Sequence, residues 1–127
     1  MIVLDASVLI AHLDERDALH ARAERALERA TSQPLGCSSI TLAEVLVGPA
    51  HHGRLSAAQA AVAELEVEEI PLGADAAVRL ATMRAEVGLK LPDCCVLLAA
   101  QDASAQTILT FDDALTRAAE RSGFETV

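Results

Sequence analysis

An α/β architecture, with a parallel sheet of four or five strands flanked by helices on both faces, is what this sequence predicts. Three observations carry that reading. Short apolar runs of strand length alternate with stretches of helical spacing, which implies parallel strands covered on both sides. The chain has 127 residues, which fits one domain over residues 1–127 and suffices to bury a core without a disulfide or metal staple. Hydrophobic residues make up 52% of it but aromatics only 2%, with no Trp or Tyr, so Leu, Val, Ile and Ala must build that core.

Each element has its own local signal. Residues 2–4 are an apolar run and form the first strand. A helix follows over about residues 7–12. The next, over about 19–30, carries Leu19, Ala23, Ala26, Leu27 and Ala30 at helical spacing. Residues 31–34 punctuate the chain, and 36–40 read as a second strand. Thr41 opens a helix that ends near Gly48 and Pro49, with Thr41 and Glu44 spaced as a capping box. Residues 51–53 are a loop, 56–65 a helix and 67–72 a third strand. Asp75 caps a helix to about Val87, which Gly88 closes. Pro92 begins the next helix, and residues 94–100 are its apolar run. Residues 107–110 form a fourth strand, Asp112 or Asp113 starts the last helix, and 124–127 are a candidate fifth strand. No repeat or linker interrupts the series.

Several function classes fall away on composition. No apolar run reaches membrane-spanning length. Asp5 cuts the N-terminal apolar run short of a signal peptide, so a cytoplasmic location is expected. Three cysteines, Cys37, Cys94 and Cys95, are too few and too oddly spaced for a disulfide framework and read as small core residues. A formal net charge of −9 argues against broad attraction to nucleic acid. It leaves room for a nucleic-acid enzyme whose acidic site is offset by metal and a local basic patch, and it favours a basic protein partner.

Four acids stand apart from the rest. Asp5 follows the first strand, Glu44 lies among Leu42, Ala43, Val45 and Leu46, Asp93 heads the most apolar helix, and Asp112 follows the fourth strand. Each alone has a structural explanation: Asp5 and Asp112 as helix caps, Glu44 in its capping box, Asp93 at a helix dipole. Taken together they point elsewhere. Ligands of such sheets bind beyond the carboxyl ends of the strands, and no Lys or Arg lies close in sequence to Asp5, Glu44 or Asp112. Carboxylates gathered without counter-charge need protons or a divalent cation, and an oxygen-only set suits Mg²⁺ or Mn²⁺.

The ordered segments Val3-Leu4-Asp5-Ala6-Ser7, Thr41-Leu42-Ala43-Glu44-Val45, Leu91-Pro92-Asp93 and Leu109-Thr110-Phe111-Asp112 resemble the motifs of PIN-domain ribonucleases. The resemblance is closest to the VapC toxins of bacterial type II toxin–antitoxin pairs and spans nearly the whole chain. It implies a PIN-like fold, Mg²⁺- or Mn²⁺-dependent endoribonuclease activity and inhibition by a cognate VapB-type antitoxin. It also implies a homodimer, and a heterotetramer or larger assembly with the antitoxin. Asp5, Glu44, Asp93 and Asp112 match the four catalytic, metal-holding acids of that family. Ser7 matches a supporting hydroxyl near the metal, and Thr110 a residue near the fourth acid. Asp113 is a second acid beside Asp112. Cys94 and Cys95 replace the commoner small residues after the third acid.

Weaker signals surround these. Arg22, Arg25 and Arg29 share one side of the second helix, as a basic stripe for RNA phosphates or as a solvated face. Arg16, Arg54 and Lys90 are candidates for the rim. Two other functions compete with the nuclease. A metal-dependent phosphatase or phospho-acceptor domain would want an Asp-x-Asp after the first strand, where position 7 is Ser. A catalytically inactive PIN-like interaction module would not need all four acids.

Overall fold

The computed structural model describes residues 1–127. In chain order the elements are β1 (Ile2–Leu4), α1 (Ala6–Leu13), α2 (His20–Ala30), β2 (Leu35–Ser38), α3 (Ser39–His51), α4 (Leu55–Glu64), β3 (Glu68–Ile70), α5 (Ala76–Val87), α6 (Leu91–Asp102), β4 (Thr107–Leu109), α7 (Asp113–Arg121) and β5 (Glu125–Thr126). The strands form one five-stranded sheet in the order β3-β2-β1-β4-β5, and all its pairings are parallel.

Alternation along β1 explains the two layers. Ile2 and Leu4 point into a core with Leu9, Leu27, Cys37, Val45 and Leu109. Val3 points the other way, into a core with Ile70, Met83, Val96, Leu97, Ile108 and Leu115. A strand buried on both faces needs apolar residues at every position. Leu4 is fully buried, and truncating it to Ala would cost roughly 2–5 kcal/mol. The edge strand β3 exposes Glu68 and Glu69, charges that discourage pairing with another sheet.

Topology then positions the site. After β1 the chain steps to β2 and β3 on one side, and then returns past β1 to β4 on the other. The order therefore reverses between β1 and β4, and a crevice opens beyond their carboxyl ends. Leu4 pairs with Leu109 in register, so Asp5 and Thr110, the next residues, leave the sheet side by side.

Most elements lie where the sequence places them, and three local readings change. Thr41 does not cap α3. Ser38 is the N-cap, and its Oγ accepts from the Thr41 N–H at 2.9 Å, so β2 ends at Ser38 and the capping box with Glu44 does not form. Pro49 lies inside α3, which runs on to His51. So close to the helix end, a proline removes only one intrahelical bond. Asp75 occupies the N-cap position of α5 without a side-chain capping bond. Gly88 closes that helix as expected, with φ of +72°, a conformation glycine adopts without strain.

Candidate active site

The carboxyl edge of β1 and β4 is stitched by hydroxyl groups. Asp5 is 6% exposed, and its Oδ2 accepts three hydrogen bonds, from Ser7 Oγ at 2.5 Å, Ser7 N at 3.3 Å and Thr110 Oγ1 at 2.8 Å. Ser7 Oγ in turn accepts from Phe111 N at 3.0 Å, and Thr110 Oγ1 from Asp112 N at 3.0 Å. Asp112 caps α7, its Oδ1 accepting from Leu115 N at 2.8 Å. The capping and functional readings of Asp5 and Asp112 are therefore compatible. One oxygen of each carboxylate does the structural task, and Asp5 Oδ1 and Asp112 Oδ2 stay free. No buried side-chain oxygen lacks a partner, so Asp5 Oδ1 reaches solvent, and Asp112 is an exposed residue.

Glu44 and Asp93 face the same space from α3 and α6. The Asp93 carboxyl is pushed above the usual range by burial, then by repulsion from Asp5 and Asp112, with Lys90 pulling weakly the other way. The Glu44 carboxyl is raised by partial burial, then by Asp5 and Asp93. Its residue surface is largely open, which screens both effects. These mutual effects link all four acids into one electrostatic group. None of them takes part in a salt bridge; the ion pairs are His12–Glu24, Arg16–Asp14, Arg79–Asp75 and Arg79–Asp102.

The donor chemistry suits a hard divalent cation: carboxylate oxygens, no imidazole, and thiols that are buried and held protonated. Burial pushes the thiols of Cys94 and Cys95 up, and that of Cys37 to about 11, with help from Glu69. All three pack as core residues. As the side chains stand, no three His, Cys, Asp or Glu groups are gathered closely enough to hold an ion. The acids share a space without yet forming a coordination shell.

The model of the PIN domain family matches residues 2–121. The chain belongs to the PIN domain family. Solved structures carry the same fold. The chain is similar to a toxin–antitoxin complex from Klebsiella pneumoniae, at 27% identity and a TM-score of 0.73, covering 94% of this chain and 90% of that one. It is similar to VapC20 of Mycobacterium tuberculosis, a sarcin-ricin loop cleaving toxin, at 19% identity and 0.73 over 98% and 96% of the two chains. It is also similar to DNA-bound VapBC from Salmonella typhimurium, at 23% and 0.69 over 99% and 96%. At these last two identities the likeness is one of fold. No curated protein matches the chain.

Other candidates take varied places around the PIN-domain crevice. Asp113 is the first residue of α7, exposed and in its first turn, and is not among the charges that raise the Glu44 and Asp93 carboxyls. Arg25 and Arg29 are exposed along α2 without a salt bridge. Arg22 differs, because its guanidinium lies over the Phe111 ring, 4.3 Å from the centroid. Arg16 and Arg54 line a groove of about 500 Å³ between α1, α3 and α4, together with Glu44, Ile10, Leu13 and Val45.

Sequence reasoning missed Ser38 and Phe111. Ser38 ends β2 and pairs with the buried Thr41 hydroxyl at 2.9 Å. A Ser three residues before Thr41 was a capping signal in plain view. Phe111 had no signal beyond being one of only two phenylalanines.

Proposed function

We propose that residues 1–127 form one PIN domain that acts as the toxin of a type II toxin–antitoxin pair, a Mg²⁺- or Mn²⁺-dependent endoribonuclease. The observation that carries this reading is the electrostatic group of Asp5, Glu44, Asp93 and Asp112, from four elements, with no salt bridge to offset it. Such a group calls for a cation, and the sheet's switch point is where a ligand of this fold class sits.

Asp5, Glu44, Asp93 and Asp112 would hold the ion. A divalent cation supplies Lewis acidity toward a phosphodiester oxygen and acidifies water at neutral pH. The protein's own groups do the rest. Ser7 and Thr110 fix Asp5 by its Oδ2, so Oδ1 keeps one direction. The Leu115 N–H fixes Asp112 in the same manner. Thr110 ties the two acids together by donating to one and accepting from the backbone of the other. Rigid support of this kind is what metal ligands need from their surroundings. Ser7 Oγ donates to Asp5 Oδ2 and accepts from Phe111 N, so its hydroxyl is engaged in support and water is left for the attack.

The partner in this reading is a VapB-type antitoxin with a basic, partly apolar tail. The groove beside Glu44 offers both surfaces it would need, apolar Ile10, Leu13 and Val45 next to a carboxylate. An Arg from such a tail would pair with the acids in place of the cation. The similarity to a Klebsiella toxin–antitoxin complex supports a partner of this class. The toxin would pair with itself and form a heterotetramer or larger with the antitoxin. No helix of the molecule is long and apolar enough to cross a membrane.

Purified protein should cut a structured RNA with Mg²⁺ or Mn²⁺ and stop when EDTA is added. Cleavage that persists in EDTA would remove the metal from this account. Co-expression with the product of the neighbouring gene should suppress both toxicity and cleavage.

A further inference from the structure

We propose that Arg22 is the phosphate grip of the crevice, holding a backbone phosphate of the RNA strand beside the four carboxylates. The inference rests on the ribonuclease reading and adds the residue that brings a polyanion to an acidic site.

Position comes first. The Arg22 guanidinium lies 4.3 Å from the centroid of the Phe111 ring. The Phe111 N–H donates to Ser7 Oγ at 3.0 Å, and Ser7 Oγ donates to Asp5 Oδ2 at 2.5 Å. A single aromatic residue thus connects α2 to the hydrogen-bond chain that fixes Asp5. Asp112 is the next residue after Phe111, so the ring that carries Arg22 belongs to the segment that leads into the acidic group.

Chemistry comes second. Three arginines spend donors within the protein, and Arg22, though not alone in being unpaired, is the one held over an aromatic ring. Arg79 bonds Asp102 at 2.6 Å, Arg84 donates to Leu89 O at 2.7 Å, and Arg16 lies 3.6 Å from Asp14. Arg22 has no such partner among the salt bridges or side-chain hydrogen bonds, and it is exposed. Contact with a ring occupies the face of a guanidinium and leaves its in-plane N–H fork available, the geometry that matches phosphate oxygens. The ring also limits where the charge can wander, so less freedom is lost on binding.

Need comes third. With a net charge of −9, the protein repels RNA at long range, and affinity must come from local cations. The chain has two aromatic residues, and Phe124 packs against the opposite core. Base stacking therefore offers little, and phosphate contacts must do more.

The test is binding of a fluorescently labelled hairpin RNA in Mg²⁺, with Asp5→Asn as parent so that cleavage does not interfere. Adding Arg22→Gln should weaken binding about 10-fold or more, as expected for charge-assisted bonds to one phosphate. It should also reduce the slope of log affinity against log salt by about 0.7. Arg121→Gln removes the same charge from the far end of α7 and should change binding less than two-fold. Phe111→Leu keeps the apolar bulk, loses the platform and should weaken binding in the same direction. Should Arg22→Gln melt too low to assay, Arg22→Lys replaces it, and affinity should fall while the salt slope holds. Unchanged affinity and slope in Arg22→Gln, equal affinity in Arg22→Lys, or an equal loss in Arg121→Gln overturns the grip. If wild type cleaves RNA and Arg22→Gln binds normally, the grip alone fails. If the binding losses appear while wild type cleaves nothing, the grip stands and the ribonuclease reading fails.

Discussion

Two groups of acids in this molecule meet opposite fates. Asp75 and Asp102 flank Arg79, at 3.8 and 2.6 Å, where α5 packs on α6. Their charge is answered, and the hydrogen bond Arg79 donates to Asp102 is the main reason its guanidinium holds its proton more tightly than usual. Asp5, Glu44, Asp93 and Asp112 share a crevice with no salt bridge at all, and the carboxyls of Glu44 and Asp93 are raised instead. Answered acids fasten helices. Unanswered ones hold repulsion that a bound cation would relieve, which is the ground for proposing them as a site.

The sharpest way to break that comparison is to neutralise one acid from each group. Asp5→Asn should lower RNA cleavage by about 100-fold or more, since it alters the most tightly held acid of the set. Asp102→Asn should leave cleavage unchanged and lower the melting temperature slightly. Equal losses of activity would mean that both groups are structural.

A second variant probes the support of the group and not its charge. Thr110→Val keeps the shape but removes the donor to Asp5 and the acceptor for the Asp112 N–H. Loss of an outer-shell partner typically costs 10- to 100-fold in metal affinity, and the same range, about 10- to 100-fold, is expected here for Mn²⁺ binding. Wild-type affinity in this variant would show that the hydroxyl bridge is incidental.

Repulsion itself gives a smaller, signed effect. Glu44 and Asp93 titrate above the usual range when folded, so the folded protein binds more protons than the unfolded chain in that window. The stability contributed by these two acids in EDTA should therefore be fully present below about pH 4 and be lost as pH rises through the raised values. Glu44→Gln and Asp93→Asn should each raise the melting temperature in EDTA at neutral pH, and lose that gain below about pH 4. A drop in melting temperature at neutral pH would return these acids to a structural role. Smallest of all, Asp113→Asn should change cleavage less than about two-fold and stability by under about 0.5 kcal/mol.

The sequence made the fold legible because its signals were periodic and redundant. β1, β4 and α6 carry apolar runs with few alternatives, and Gly88 marks a helix end by a conformation other residues avoid. The four acids were visible for a related reason: each interrupts an apolar context. What stayed hidden was local competition between neighbours. Ser38 and Thr41 are both good caps, and only the fold decides that β2 stops at Ser38. Asp5 looked like a cap or a ligand, and the structure shows one of its oxygens capping α1 while the other stays free. The Arg22–Phe111 contact joins residues far apart in the chain, and no spacing rule could pair them.

Calorimetric titration of Mn²⁺ into wild type, Asp5→Asn and Asp102→Asn tests the central claim most directly. The account predicts saturable binding to wild type, weakened about 10-fold or more by Asp5→Asn and untouched by Asp102→Asn. No binding to wild type, or binding that Asp5→Asn leaves intact, would contradict it.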